Sequence, residues 1–185
     1  KPASSPTPRP TPSPTSGPAS KPASGPARMQ TVQDPGHLLR FQIPAHWTVE
    51  NDPQDPEEGG TYYDPGQEAF TLRASVQTYD SPKPLTFADT QDFLRAAADD
   101  DEGLLETLPG GLGLFVVRPW EDEEDGTSLV FCSWMLARIL PPKKARLAVF
   151  TATILADQAE SDAVQATLRM IDHEVRAAVL SDRPG

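Results

Sequence analysis

The sequence predicts an α+β protein: a mainly antiparallel sheet of about six strands flanked by two helices, preceded by a proline-rich tail. Three observations carry this. Residues 70–76 alternate without a fault: Phe70, Leu72, Ala74 and Val76 point one way, Thr71, Arg73 and Ser75 the other. That is the two-residue period of a half-buried strand. Four later stretches keep the same period. The closing segment instead places Val164, Leu168, Ile171, Val175 and Val179 at steps of three and four, the stripe of an amphipathic helix.

Residues 1–28 hold nine prolines among Ser, Thr, Ala, Gly and four basic residues, with no large apolar side chain. Nothing there repays the entropy of ordering a backbone, so this part reads as a disordered, semi-rigid linker or stalk. Overlapping P-x-x-P-like spacings around Arg9 would also suit an SH3-type ligand. Residues 29–185 form one domain of ordinary size.

Within that domain Leu39, Phe41 and Ile43 alternate with Arg40 and Gln42, and Pro44 interrupts the strand before Trp47 and Val49 resume it. Asn51 to Gly60 is a solvated loop, rich in acids and prolines. Tyr62 and Tyr63 lead into the Asp64-Pro65-Gly66 turn and the strand from Phe70, a hairpin. Thr86 caps a helix with Asp89 in its first turn and Phe87, Phe93, Leu94 and Ala97 on its apolar side. Asp99 to Asp101 and Gly103 end it. Leu104–Leu108 is a short strand and Pro109-Gly110-Gly111 a turn.

Leu112–Trp120 and Ser128–Leu140 then flank an acidic connection, Glu121 to Thr127, as a second hairpin. The later strand is apolar on both sides, which places it centrally, covered by helices or by another sheet surface. After Pro141-Pro142-Lys143-Lys144 comes the last strand, Arg146 to Ala156. Asp157 or Ser161 caps the closing helix, predicted to run to about Leu180 and so to span about 30 Å.

Charge and composition exclude several function classes. Four of the 16 bases lie in the tail, so the remaining 12 face all 27 acids, a formal balance of −15 in the domain. Such a field repels phosphate backbones and anionic lipid and favours a cationic partner. Cys132 is the only cysteine, which rules out an internal disulfide and a cysteine zinc cluster. No apolar run reaches membrane-span length. The chain starts at Lys1, leaving room upstream for an export signal, a lipid anchor or another domain, while Met29 could serve as an alternative start.

The order of elements is similar to the PsbP-like fold. The resemblance lies in Leu39-Arg40-Phe41-Gln42-Ile43-Pro44 followed by Trp47, then a hairpin ending in Phe70-Thr71-Leu72-Arg73-Ala74-Ser75-Val76, a helix, long strands and a C-terminal helix. That superfamily includes the photosystem oxygen-evolving subunit P, a Ran-GTPase-release factor, DcrB-type bacterial envelope lipoproteins and the Eag-type chaperones of type VI secretion. The resemblance covers nearly all of residues 37–180 and is one of topology, with no catalytic or metal-binding residue to carry over. It implies a non-enzymatic module that binds a protein or peptide on the sheet or around its rim.

Reactive chemistry finds little support in the residues. Counted as an EF-hand, Glu121-Asp122-Glu123-Glu124-Asp125-Gly126 puts glycine at the sixth position but Cys132 where the twelfth-position Glu belongs. His37, His46 and His173 are scattered, without helical i, i+4 pairing. Cys132 reads as an inert core thiol. There is no G-x-S-x-G, P-loop or G-x-G-x-x-G, so neither catalyst nor cofactor is expected. Trp47, Tyr62, Tyr63 and Trp120 lie near element ends, where aromatic rings often mark a binding rim, and are the candidate partner-binding residues. Arg118 could stack on the Trp120 ring. The expectation is a non-catalytic, protein- or peptide-binding adaptor, with a ligand-binding exported lipoprotein and an enzyme with an unrecognised pocket as alternatives.

Overall fold

The computed structural model describes residues 28–51, 59–67, 69–99 and 101–183. The expectation of a disordered tail, and most of that for the Asn51–Gly60 loop, fall outside these residues. In chain order the elements are β1 (Met29–Gln33), β2 (Leu39–Pro44), β3 (Thr48–Asn51), β4 (Gly60–Tyr63), β5 (Phe70–Asp80), α1 (Thr90–Ala98), β6 (Gly103–Leu108) and β7 (Leu112–Val117). There follow β8 (Trp120–Glu124), β9 (Thr127–Leu140), β10 (Lys144–Leu155), α2 (Asp162–Ala177) and β11 (Val179–Leu180). The large sheet runs β3-β4-β5-β10-β9-β7-β6, with β8 also paired to β9; a small sheet runs β1-β2-β11. Every pairing is antiparallel. The α+β class with two helices is therefore what the chain adopts.

One face of the large sheet carries the main core. Phe70, Leu72 and Ala74 of β5, Ala148, Phe150, Ala152 and Ile154 of β10, and Cys132, Trp134 and Leu136 of β9 are all buried there. Two covers close it. The α2 helix supplies Val164, Ile171 and Val175, and the small sheet supplies Val32, Leu39, Phe41, Ile43 and Leu180. Phe41 meets Phe150 and Tyr62 edge-on at 5.1 and 5.2 Å between ring centroids, geometry that adds to burial. On the opposite face α1 packs over β7 and β9, setting Leu94 and Ala98 against Phe115, Val117, Ala137 and Leu147. The two-sided apolar pattern of residues 128–140 is explained by this double cover.

Several boundaries differ from expectation, each for a local reason. The 39–49 region is not one strand interrupted at Pro44. β2 belongs to the small sheet, and the chain turns at Pro44 and Trp47 to enter the large one as β3. β1, pairing with β2 through Val32↔Phe41, has too few apolar residues to reveal its period. Thr86 and Asp89 do interact, the Thr86 N–H and hydroxyl both donating to the Asp89 carboxylate at 2.6 and 2.8 Å. Those bonds hold the Asp89 pKa below its ordinary value, the backbone N–H contributing most. They close a single 3-10 turn, with α1 starting one residue later and Phe87 left 63% exposed rather than on the buried side. Asp99, at φ 45°, ends α1, whereas Gly103 opens β6.

The acidic connection is also shorter than predicted. Glu121–Glu124 is strand, and only Asp125 and Gly126, at φ 50° and 77°, make the turn. Both positive φ values suit the two-residue hairpin turn for which Asp-Gly is the favoured pair. Between Val116↔Trp134 and Trp120↔Phe131 three residues oppose two, so a bulge at Pro119 separates β7 from β8. Finally, Ser161 caps α2, accepting from the Val164 N–H, but the helix stops at Ala177. Val179 is not on its buried stripe; it lies in β11 and is 46% exposed.

Candidate partner-binding face

The α1 helix covers only part of its face of the large sheet. Beyond it, cross-strand pairing sets one row of side chains across six strands: Thr48, Tyr63, Thr71, Thr153, Phe131 and Trp120. Directly paired residues share a face. A second row, Glu50, Thr61, Arg73, Thr151 and Ser133, lies one pleat away, and Leu155, Leu129 and Asp122 make a third on the other side. Among the described residues no helix lies over these rows. At about 4.8 Å per strand the first row spans ~24 Å, and four residues of rise make the face ~13 Å deep.

Trp120 anchors one end. Its ring stacks on Phe131 at 5.3 Å and 14° between planes, with 42% of the residue still exposed. Arg118 does not stack on it: its guanidinium pairs with Glu102 at 2.6 Å instead. At the other end the Tyr63 hydroxyl donates to Glu50 at 2.6 Å, a bond that raises the phenol's pKa from its ordinary value. In the floor between them, Ser133 and Thr151 share a hydrogen bond of 2.9 Å. Asp122 and Glu124, alternating with Trp120 on β8, put carboxylates beside the ring, and Glu50 puts one at the far edge.

The four predicted rim residues therefore do not form one cluster. Tyr63 and Trp120 share this face. Trp47 and Tyr62 are core residues, 6% and 3% exposed, Trp47 lying 5.7 Å from Phe70 between ring centroids. Tyr62 and Tyr63 are adjacent in a strand and so point to opposite sides; burial, with Asp34 adding to it, pushes the Tyr62 phenol up to about 12. Neither buried ring can touch a partner without unfolding the core. Phe131 and the threonines went unpredicted as site residues. Their signal was present in β10, where Leu147 and Val149 give way to Thr151 and Thr153 at the same parity.

Other candidates offer less chemistry. Cys132 is buried beside a cavity of about 300 Å³ that α2 forms with β7 and β9, and burial raises its thiol pKa, the opposite of nucleophilic activation. In the wall of that cavity the Trp134 Nε1–H donates to Asp172 at 3.0 Å. His46 pairs with Asp64 at 3.1 Å. No group of three or more His, Cys, Asp or Glu side chains is gathered to hold a metal among the described residues. Among the described residues no helix is long and apolar enough to cross a membrane.

By sequence, no protein family and no curated protein matches this chain. By structure it is similar to a Bacteroides thetaiotaomicron protein, with a TM-score of 0.56 at 13% identity over 82% of this chain. This chain spans 48% of that protein's length. It is similar to LpqN of Mycobacterium tuberculosis, a protein involved in cell envelope biogenesis, with a TM-score of 0.54 at 12% identity, covering 83% of this chain and 91% of LpqN. The cyanobacterial PsbP of Synechocystis overlaps more loosely, with a TM-score of 0.42 at 14% identity over 88% of this chain and 98% of that one. At such identities the likeness to the Bacteroides protein and to LpqN is one of fold, and the expected resemblance in topology holds at that level alone.

Proposed function

We propose that this domain is a non-catalytic binding module that receives an extended segment of a partner protein across the open face of its large sheet. The observation carrying this reading is the row from Trp120 to Tyr63, an aromatic and threonine floor with acids at both ends. The face measures ~300 Å², well short of the ~800 Å² per side that folded partners usually bury. An extended peptide of about seven residues, at ~3.3 Å each, matches its length. Glu50, Asp122 and Glu124, within a strongly acidic domain, favour basic residues in that peptide. Trp120 on Phe131 offers the rigid aromatic surface typical of binding hot spots. This geometry supports an adaptor or chaperone-like role.

The test is site-specific photocrosslinking in the native cell. A benzoylphenylalanine at Thr153 should give a discrete adduct, and one at His173, exposed on α2 away from this face, should not. Identical adducts from both positions, or none from Thr153, would refute the reading.

A further inference from the structure

The outer surface of the small sheet carries a different kind of site. Gln33 pairs with Arg40, and Arg40 with Val179, so β1, β2 and β11 set these three side chains in one row. Their neighbours Leu39 and Leu180 are buried, so the row points away from the core. At one end the turn of residues 34–38 folds beside it. The Asp34 carboxylate accepts the N–H groups of Gly36 and Leu38, at 2.8 and 2.6 Å, and that of Leu39. This fixes His37, at φ 55°, on the rim. The Ser181 N–H donates to the Leu38 carbonyl at 2.8 Å, which brings the C-terminal segment alongside as the other wall. Gln33, His37, Arg40, Val179, Ser181 and Arg183 together line a pocket of about 470 Å³. Small-molecule sites fall in this size range.

The lining runs against the charge of the domain. Among the described residues it has two arginines and a histidine and no acid, in a domain whose formal balance is −15. A third cation lies beneath. Arg146 is fully buried, and its guanidinium donates to the Ser181 and Arg183 carbonyls and to the Thr78 hydroxyl. The wall segment is thereby tied inward to a buried positive charge. Of the nearby acids, Asp34 is engaged by backbone N–H groups of its own turn, Asp182 lies outside the lining, and Glu174 lines a neighbouring pocket that shares Arg40 and Val179.

We propose that this pocket binds a small molecule through an oxyanion, a carboxylate or phosphate. The forked guanidinium groups of Arg40 and Arg183 match such groups in geometry and charge. Gln33 and His37 add further polar contacts, and exposed Val179 receives an apolar part of the ligand. The site is independent of the open face of the large sheet.

The experiment is an amide NMR titration of the full chain with inorganic phosphate and with succinate, against chloride at matched ionic strength. A third arm uses vesicles of phosphatidylcholine and phosphatidylglycerol. Phosphate or succinate should shift the amides of Gln33, His37, Arg40, Val179, Ser181 and Arg183 saturably. Arg40→Gln combined with Arg183→Gln, both at exposed positions, should weaken that binding at least tenfold while the remaining spectrum stays unchanged. Three results would each overturn the proposal. They are shifts no different from those with chloride, equal affinity in the double variant, and binding to the anionic vesicles without response to either free anion.

Discussion

The two faces of the large sheet are written in the same strands and serve different ends. On β10, Ala148, Phe150, Ala152 and Ile154 point into the core under α2 and the small sheet. Thr151 and Thr153, interleaved with them, point to the uncovered part of the other face. On β4 the division falls between Tyr62 and Tyr63. One parity supplies stability and the other a surface. A threonine floor keeps high strand propensity without the cost of exposing valine or isoleucine to water. A sheet can thus stay rigid while presenting a face with no helix over it.

The sharpest way to break this comparison is to truncate neighbours of opposite parity. Phe150 is fully buried, and Phe150→Ala should destabilise the domain by about 3–5 kcal/mol through lost transfer energy and the cavity left behind. Thr153→Ala, three residues on and facing out, should fall within about 0.5 kcal/mol. Urea midpoints of the two variants, measured at equal m-values, test the division. Similar losses from both would mean that the open face is part of the core.

The boundary between covered and open halves of the second face can be moved as well. A Cβ on Gly113 would come within 2.6 Å of Leu94 Cδ1 and 2.8 Å of Thr90 Cγ2, so these side chains of α1 pack on β7 as they do because that position is glycine. Gly113→Val should lift the helix, at about 1–3 kcal/mol of overpacking, and speed hydrogen exchange in residues 90–98. Trp120 fluorescence should stay as it is. A change at Trp120 equal to that in α1 would show that the open half depends on the helix.

Much of this architecture was legible because burial is periodic. The strand at residues 70–76, the double-sided strand at 128–140 and the helix capped by Ser161 announce themselves through side-chain spacing alone. What stayed hidden was set by tertiary pairing. Glu121–Glu124 has poor strand propensity and is strand because it continues the Asp125-Gly126 hairpin alongside β9. β11 has two residues and exists only through β2. The aromatic candidates were half right for the same reason: position near an element end does not reveal parity, and parity decided that Trp47 and Tyr62 are core while Tyr63 and Trp120 are surface. The cationic pocket needed β11 brought from the far end of the chain alongside β1 and β2.

The smallest expected effect concerns how the sealed face is closed at its edge. Arg176 of α2 donates two hydrogen bonds to Glu106 of β6, at 2.6 and 3.1 Å, and a third to Asp172 at 2.8 Å. The bond from Arg176 holds the Glu106 carboxyl below its ordinary pKa. A carboxylate whose folded-state pKa is depressed stabilises the fold fully above its unfolded pKa, about 4.3 for glutamate, and ceases to as pH falls through the folded value. With both side chains about a third exposed, water screens the pair, and Glu106→Gln should cost up to about 1 kcal/mol at pH 7. That difference should be constant from pH 7 to about 5 and close as the pH is lowered further, because the wild type then loses the same charge. A gap that persists undiminished in acid would assign the role of Glu106 to packing, and leave α2 held to the sheet by its apolar stripe and the Trp134–Asp172 hydrogen bond.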